Sequence, residues 1–246
     1  MKLPPFSCLP LLLCLLLPPA FAQPIGTTVA TDIGGSAENA KGAEMRDQVN
    51  AVWGLVRAKK LPEAELAAAD LQKKFESSFD SAQPHYSFQS REEYLEFKSA
   101  SPQAFEWIDW GYKECLQIQA FIAADRRNFP AALSLLTAIE AIAPVSAGTL
   151  TERGYILNQL GKPEDAMAAY KRALALSRRY RSQQQHQAVA LRGVGFALIE
   201  LHRLDEAEAA FQESLKTDPN SQVAMNELAY IRQVRAKSAP KPAAAL

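Results

Sequence analysis

The chain has 246 residues, of which 48% are hydrophobic and 22% are charged, and its 27 Lys and Arg residues balance its 27 Asp and Glu residues. This composition is ordinary for a globular protein and excludes wholesale disorder and a collagen-like structure. The neutral balance argues against a nucleic-acid-binding protein, which needs a basic surface to displace counterions from phosphates. Three Cys and three His residues, scattered along the chain, are too few for a zinc site or a disulfide framework.

The first 22 residues have the features of a secretory signal peptide. Lys2 and the amino terminus are positive, residues 9–17 form an apolar run, and the small residues Ala20 and Ala22 suit a cleavage site. The run is shorter than the roughly 20 apolar residues of a membrane span, so a short membrane anchor is the less favoured alternative. We expect cleavage after Ala22 and export to the periplasm or the exterior.

Removal of the signal peptide would take away two of the three cysteines. Cys115 would then be the single thiol, so no intramolecular disulfide could form even in an oxidising compartment. We expect Cys115 to be a small buried hydrophobic residue on a helix rather than a nucleophile.

The remaining chain changes pattern several times. Residues 23–43 are rich in Gly, Thr and Ala without apolar periodicity and predict a flexible leader. Residues 44–80 show apolar residues three and four apart, with Pro62 suited to a first helical turn, and predict an N-terminal helical hairpin. Residues 237–246 are rich in Ala, Pro and Lys and predict a disordered tail.

Residues 81–112 form an aromatic-rich insertion. The stretch from Phe75 to Tyr112 holds ten of the chain's 21 aromatic residues. Ser90 begins a capping-box pattern that predicts a short helix, and Ser101, which precedes a proline, predicts another helix start. We expect the large side chains to pack the insertion because it has little regular structure, with an aromatic interaction patch as the alternative.

Residues 147–219 contain two copies of one pattern. Gly154 precedes Ala166 by 12 residues, as Gly195 precedes Ala207, and an aromatic residue follows each alanine by four. Two antiparallel helices approach closely where facing residues are small, so we expect each glycine to meet the alanine of its pair, with the aromatic ring beside that contact. The two aromatic residues are Tyr170 and Phe211.

This pattern resembles the tetratricopeptide repeat. A weaker upstream copy places Ala132 34 residues before Ala166, which is the period of that family, whereas Ala207 follows Ala166 by 41 residues. Seven extra residues make about two helical turns, so we expect a helix lengthened over residues 178–187. Arg153 departs from the family pattern because it stands where the family prefers Leu.

The resemblance covers residues 113–236, with residues 221–236 as a solvating cap helix, and the 44–80 hairpin resembles a degenerate repeat. It implies an all-α fold, a right-handed superhelical stack of antiparallel helix pairs interrupted by the aromatic-rich insertion. Together with the signal peptide, it suggests an exported tetratricopeptide-repeat protein of bacterial type.

The resemblance also places one aromatic side chain of each first helix on the concave wall, where such proteins hold extended or helical peptides. Polar residues one turn away share that face. Amides can bond a peptide backbone while aromatic rings grip apolar side chains. The groove lacks the Lys and Asn set of the carboxylate-clamp members, so a C-terminal carboxylate is not the expected ligand. The expected partner-binding residues are Phe121, Tyr155, Asn158, Arg192, Phe196, Asn226 and Tyr230. The alternative is that these aromatic rings pack between neighbouring repeats.

We therefore expect a non-catalytic scaffold or adaptor that binds a peptide segment or protein of unknown identity, without cofactor, metal, nucleic acid or membrane span. One alternative is a homo-oligomeric component of a cell-envelope assembly, docked through the insertion. The other is a hydrolytic enzyme, which would need two carboxylates of the insertion, or its histidine, to converge in a pocket. The candidate catalytic groups are His85, Glu92, Glu93, Glu106 and Asp109.

Overall fold

The computed structural model describes residues 40–80 and 82–238, and these residues are mostly helical. The predicted signal peptide, residues 23–39 of the predicted leader and residues 239–246 of the predicted tail lie outside the described residues. The helices are α1 (Arg46–Arg57), α2 (Leu61–Glu76), α3 (Arg91–Ala100), α4 (Trp110–Asp125), α5 (Phe129–Ile142), α6 (Ala147–Gln159), α7 (Pro163–Arg179), α8 (Gln187–Glu200), α9 (Leu204–Thr217) and α10 (Gln222–Ser238). The strands are β1 (His85–Phe88) and β2 (Glu106–Asp109).

Consecutive helices form the pairs α1/α2, α4/α5, α6/α7 and α8/α9, and α10 packs against α9. The second helix of each pair also contacts the first helix of the next pair, as α2 does with α4, α5 with α6 and α7 with α8. Stacking in which each unit touches its neighbours is the arrangement of a helical solenoid. The all-α prediction is confirmed, and α10 occupies the place of the expected cap helix.

One type of turn joins the two helices of each described pair. Lys59, Arg127, Gly161 and His202 have φ angles of 58°, 57°, 67° and 58°, and each lies two residues past the end of a first helix. A left-handed residue ends a helix and reverses the chain direction, at a cost of about 1 kcal/mol for residues other than glycine. The pair α1/α2 shares this turn, as its resemblance to a degenerate repeat implies.

The glycines of the repeat pattern face aromatic rings. A Cβ atom on Gly154 would lie 2.7 Å from the ring of Tyr170, and one on Gly195 would lie 2.7 Å from the ring of Phe211. The nearest atoms therefore belong to the aromatic residues rather than to the alanines that we expected to meet the glycines. The ring takes the space next to the glycine because that position has no side chain.

The insertion between α2 and α4 contains a small parallel sheet that the sequence analysis did not predict. Strands β1 and β2 pair in parallel, with Tyr86 opposite Trp107, and α3 connects them. The capping prediction is confirmed, because the Ser90 hydroxyl accepts a hydrogen bond from the Glu93 amide at 3.2 Å. The predicted helix start at Ser101 is wrong, since this residue is extended and the chain continues into β2.

The aromatic side chains of the insertion pack on one another. The rings of Tyr94 and Trp107 stack with centroids 4.3 Å apart, and Phe88 and Tyr94 are buried. This cluster rests on Val145 and Tyr180 of the solenoid. The aromatic residues therefore form a small core for the insertion, as the packing interpretation expected.

Backbone pairing also ties residues of the predicted leader to the sheet. The Lys41 amide donates to the Trp107 carbonyl at 2.9 Å, and the Asp109 amide donates to the Lys41 carbonyl at 2.9 Å. The chain segment before α1 thus adds one residue beside β2.

The extra residues between the second and third repeat-like pairs do not lengthen a helix, so that prediction is wrong. Helix α7 ends at Arg179, and a 3-10 helix follows at Arg181–His186. The reason is a cap formed by Gln183, whose side-chain oxygen accepts from the Ala147 amide at the start of α6 at 2.9 Å. The same side chain donates to Glu93 of α3 at 3.3 Å. The detour thus fastens the insertion to the solenoid.

Candidate functional site

The first helices of the pairs, α1, α4, α6 and α8, and the cap α10 form what we call the first-helix face. Helix α1 contacts α4, and α6 contacts α8. Each of these five helices carries one partly buried aromatic residue at an equivalent position. These aromatic residues are Trp53, Phe121, Tyr155, Phe196 and Tyr230.

Trp53 is the member of this row that the sequence analysis missed. It precedes Phe121 by 68 residues, which is twice the 34-residue period, and it directly follows the buried Val52 as Phe121 follows Ala120. Extending the period upstream would have found it. Its indole N–H donates to Glu114 of α4 at 2.9 Å.

The aromatic side chains of this face are shared between core and surface. Phe121 and Tyr155 pack against the buried cluster of the first three pairs. Phe196 lies edge-on to Phe211, with centroids 5.4 Å apart. Tyr230 is partly buried on α10. Both interpretations of the row therefore hold in part, because one side of each ring packs inward while part of its surface stays accessible.

The three polar residues predicted for this face differ in their partners. The Arg192 guanidinium donates to Asp218 at 2.8 Å, so it joins α8 to the end of α9. The exposed Asn226 accepts from Gln222 of the same helix at 2.8 Å. The Asn158 side-chain oxygen is buried and has no hydrogen-bond partner among the described residues. Asn158 is therefore the predicted amide with an unused acceptor.

Residues 145–220 match the family model described as tetratricopeptide repeat. These residues are tetratricopeptide repeats. They comprise the pairs α6/α7 and α8/α9, on which the sequence resemblance was strongest. A comparison with curated protein sequences returned no match.

Solved structures with the same fold cover more of the chain than these tetratricopeptide repeats. PilW, described as a widely conserved type IV pilus biogenesis factor, is 16% identical, with a TM-score of 0.57 over 78% of this chain and 70% of its own. A tetratricopeptide repeat protein from Parabacteroides merdae is 17% identical, with a TM-score of 0.54 over 80% of this chain and 62% of its own. A MamA RS-1 double mutant is 13% identical, with a TM-score of 0.55 over 80% and 87%. These likenesses concern the fold.

Arg153, the departure from the tetratricopeptide pattern, has a structural role. Its guanidinium forms an ion pair with Glu140 of α5 and donates to the Thr137 hydroxyl at 2.6 Å. A polar link between two pairs thus takes the place of the apolar contact that Leu would make.

A buried polar cluster lies under the start of α4 and α6. Lys113 forms an ion pair with Glu114 at 3.1 Å, and their side chains are 14% and 5% exposed. Gln117 donates to Glu152, which links α4 to α6. Sequence reasoning missed this cluster because its charged residues are far apart in the chain or look like ordinary surface residues.

The pKa values in this cluster show how its charges are balanced. Burial raises the pKa of Glu152 well above its usual value, against the lowering effects of Lys113 and Gln117. Burial would lower the pKa of Lys113, but Glu114 and Glu152 outweigh it and raise that pKa. Burial and the Lys113 charge lower the pKa of His186 to about 4. Lys113 is therefore charged at neutral pH and His186 neutral.

The candidate catalytic groups of the insertion are mostly committed to structural contacts. Glu106 forms an ion pair with Lys41 at 2.5 Å. Asp109 pairs with Arg46 at 2.6 Å and caps α4 by accepting from the Gly111 amide at 3.0 Å.

The other three candidates are likewise not arranged for acid–base chemistry. Glu93 accepts from the Gln89 amide at 2.6 Å, and burial raises its pKa. The ring of His85 lies 4.5 Å from that of Phe79, and Glu92 is exposed. Within residues 40–80 and 82–238, no group of three or more His, Cys, Asp or Glu side chains is placed to hold a metal ion. In the same ranges, no helix has the length and apolar character to cross a membrane.

Proposed function

We propose that this protein is a non-catalytic scaffold that holds a peptide segment of another protein against the first-helix face. The match to the tetratricopeptide repeat supports a role in protein interaction. The aromatic side chains that docking through the insertion would need pack on one another in the structure, which favours the solenoid over the insertion as the binding element.

One observation carries this proposal: a row of partly exposed aromatic rings lies beside an unsatisfied amide oxygen. An aromatic ring offers a large, rigid apolar surface at low entropic cost. A buried acceptor without a partner costs about 1–3 kcal/mol. The amide of an extended peptide would supply the missing donor to Asn158 while its side chains cover Tyr155 and the neighbouring rings.

The proposal is tested with peptides of twelve residues selected from a random phage-displayed library on the purified protein. Asn158→Ala and Tyr155→Ala should each weaken the binding of selected peptides by about ten-fold or more, measured by calorimetry. Gln185→Ala and Leu66→Ala are matched controls, because both residues are exposed and neither lies on the first-helix face. Unchanged affinity for both face variants would contradict the proposal.

We further propose that the protein is exported. The pattern of residues 1–22 supports this, as does a fold whose described part is held by helix packing with a single buried thiol. Expression in a Gram-negative host should yield a periplasmic chain that begins at Gln23 on N-terminal sequencing. A variant with Leu12→Arg and Leu13→Arg should keep its N-terminus, and a wild-type chain that retains Met1 would contradict export by this signal.

A further inference from the structure

We propose that the segment held on the first-helix face carries a lysine or arginine side chain that binds beside Glu200, Glu227 and Tyr230, at the α10 end of the face. This inference rests on the proposed function and specifies the chemistry of the partner. It assigns a basic segment, whereas a carboxylate-binding groove would take an acidic one.

Glu227 is the first observation. Its residue is 8% exposed, yet its carboxyl group has no hydrogen bond or ion pair to any described residue, and burial alone raises its pKa, to about 7. A buried carboxyl group without a partner is costly in a folded protein. A basic group from outside would turn this cost into a paired contact.

The second observation is that a further carboxylate converges on the same place from another helix. Glu200 lies at the end of α8, and Glu227 and Tyr230 lie one turn apart on α10. Both carboxylates act on Tyr230 and, after burial, raise its pKa. Two acidic groups and an aromatic ring together suit a cation, which can form ion pairs with the acids and a cation–π contact with the ring.

The third observation is that the cations near this end of the solenoid are engaged elsewhere. Arg192 pairs with Asp218 at 2.8 Å, Arg203 with Glu206 at 2.7 Å, and Arg235 with Asp205 at 2.5 Å. Glu227 and Glu200 have no such partner among the described residues. The charge that complements them therefore has to come from the bound segment.

Asn158 adds an independent indication along the same face. Its buried side-chain oxygen is an acceptor without a donor, and Glu227 is likewise an acceptor. Both unsatisfied groups call for donors, which an ammonium or guanidinium group and a peptide amide supply.

The test uses the same phage-selected peptides of twelve residues and asks which residues recur at fixed positions. We expect Lys or Arg at one fixed position. Glu227→Gln should weaken the binding of such a peptide by about ten-fold or more, and Glu200→Gln by about two- to three-fold, because Glu200 is exposed. Glu164→Gln, an exposed residue at the start of α7, is the matched control and should change nothing.

A second arm changes the peptide instead of the protein. Replacing the recurring basic residue of the peptide by Gln should weaken its binding to the wild type and abolish the difference between wild type and Glu227→Gln. This arm also decides the question if Glu227→Gln does not fold, which far-UV circular dichroism would reveal.

The outcomes separate the two proposals. Peptides that respond to Asn158→Ala and Tyr155→Ala but carry no recurring basic residue, or that bind Glu227→Gln as tightly as the wild type, overturn this inference and leave the proposed function standing. A selection that yields no peptide, or peptides indifferent to Asn158→Ala and Tyr155→Ala, overturns both.

Discussion

Gly193 of α8 lies directly against the ring of Tyr170 of α7, closer than any side chain could come. The same ring fills the space left by Gly154 of α6. One buried aromatic residue therefore joins two successive helix pairs, and the missing side chain of Gly193 sets how closely the second pair approaches the first.

Gly193→Ala should therefore lower the free energy of unfolding by about 1–3 kcal/mol, because the added methyl group overlaps the Tyr170 ring in a packed core. Gly54→Ala is the control, since its Cβ would meet only the end of Arg57, at 3.9 Å. That change should leave stability equal or raise it by up to about 1 kcal/mol, as expected for alanine in a helix. Urea unfolding followed by circular dichroism measures both, and equal midpoints would argue against the tight contact.

Lys113→Met should be strongly destabilising, by about 3–5 kcal/mol, because it leaves Glu114 buried without its cation. The control is Lys73→Met, which breaks an exposed pair with Asp70 whose side chains are 76% and 59% exposed. Such surface pairs contribute less than about 1 kcal/mol. The comparison is made by urea unfolding at pH 7, and a similar loss in both variants would mean that the Lys113 cluster is solvated.

His186 should make the protein less stable in acid. Its folded pKa is about 4 against an ordinary 6.5, because burial and Lys113 disfavour the charged ring. Between these values the unfolded chain binds a proton that the folded protein does not, so the free energy of unfolding rises with pH from about 4 to 6.5. The difference in stability between the wild type and His186→Gln should change over this range by up to about 3 kcal/mol. A difference that stays constant with pH would show that His186 titrates normally.

Cys115 should be inert in the folded protein. The residue is 1% exposed, and burial, followed by the charge of Glu114, raises the pKa of its thiol to about 12. The thiolate that reacts with alkylating reagents is therefore scarce and inaccessible at pH 8. Mass spectrometry of the Cys115 peptide should show alkylation by iodoacetamide only as urea unfolds the helices, and the unfolded protein is the positive control. Rapid alkylation without urea would contradict the buried placement.

Much of the solenoid could be predicted from the sequence, because its signals are local. The turn at Gly161, the proline at the start of α7 and the offset from Gly154 to Tyr170 all lie within one helix pair. The period then transfers the pattern from one pair to the next, and it would also have located Trp53. The partner-binding role of the aromatic row stays a prediction, although the structure places these residues at equivalent positions.

Other features depend on residues that are distant in the sequence. Strands of four residues are too short for their period to be recognised, so β1 and β2 were missed. Gln183 looks like part of a helix until the start of α6 and Glu93 are seen beside it. Arg192 looks like a free cation until Asp218 is placed next to it.

The sequence by itself determined the helix pairs, their turns and their repeat, because these depend on spacing along a single helix or hairpin. Only the tertiary structure decided which polar groups are satisfied. Arg192 and Lys113 find partners, whereas Asn158 and Glu227 do not, and this difference arises from burial and from contacts between helices that no local pattern encodes.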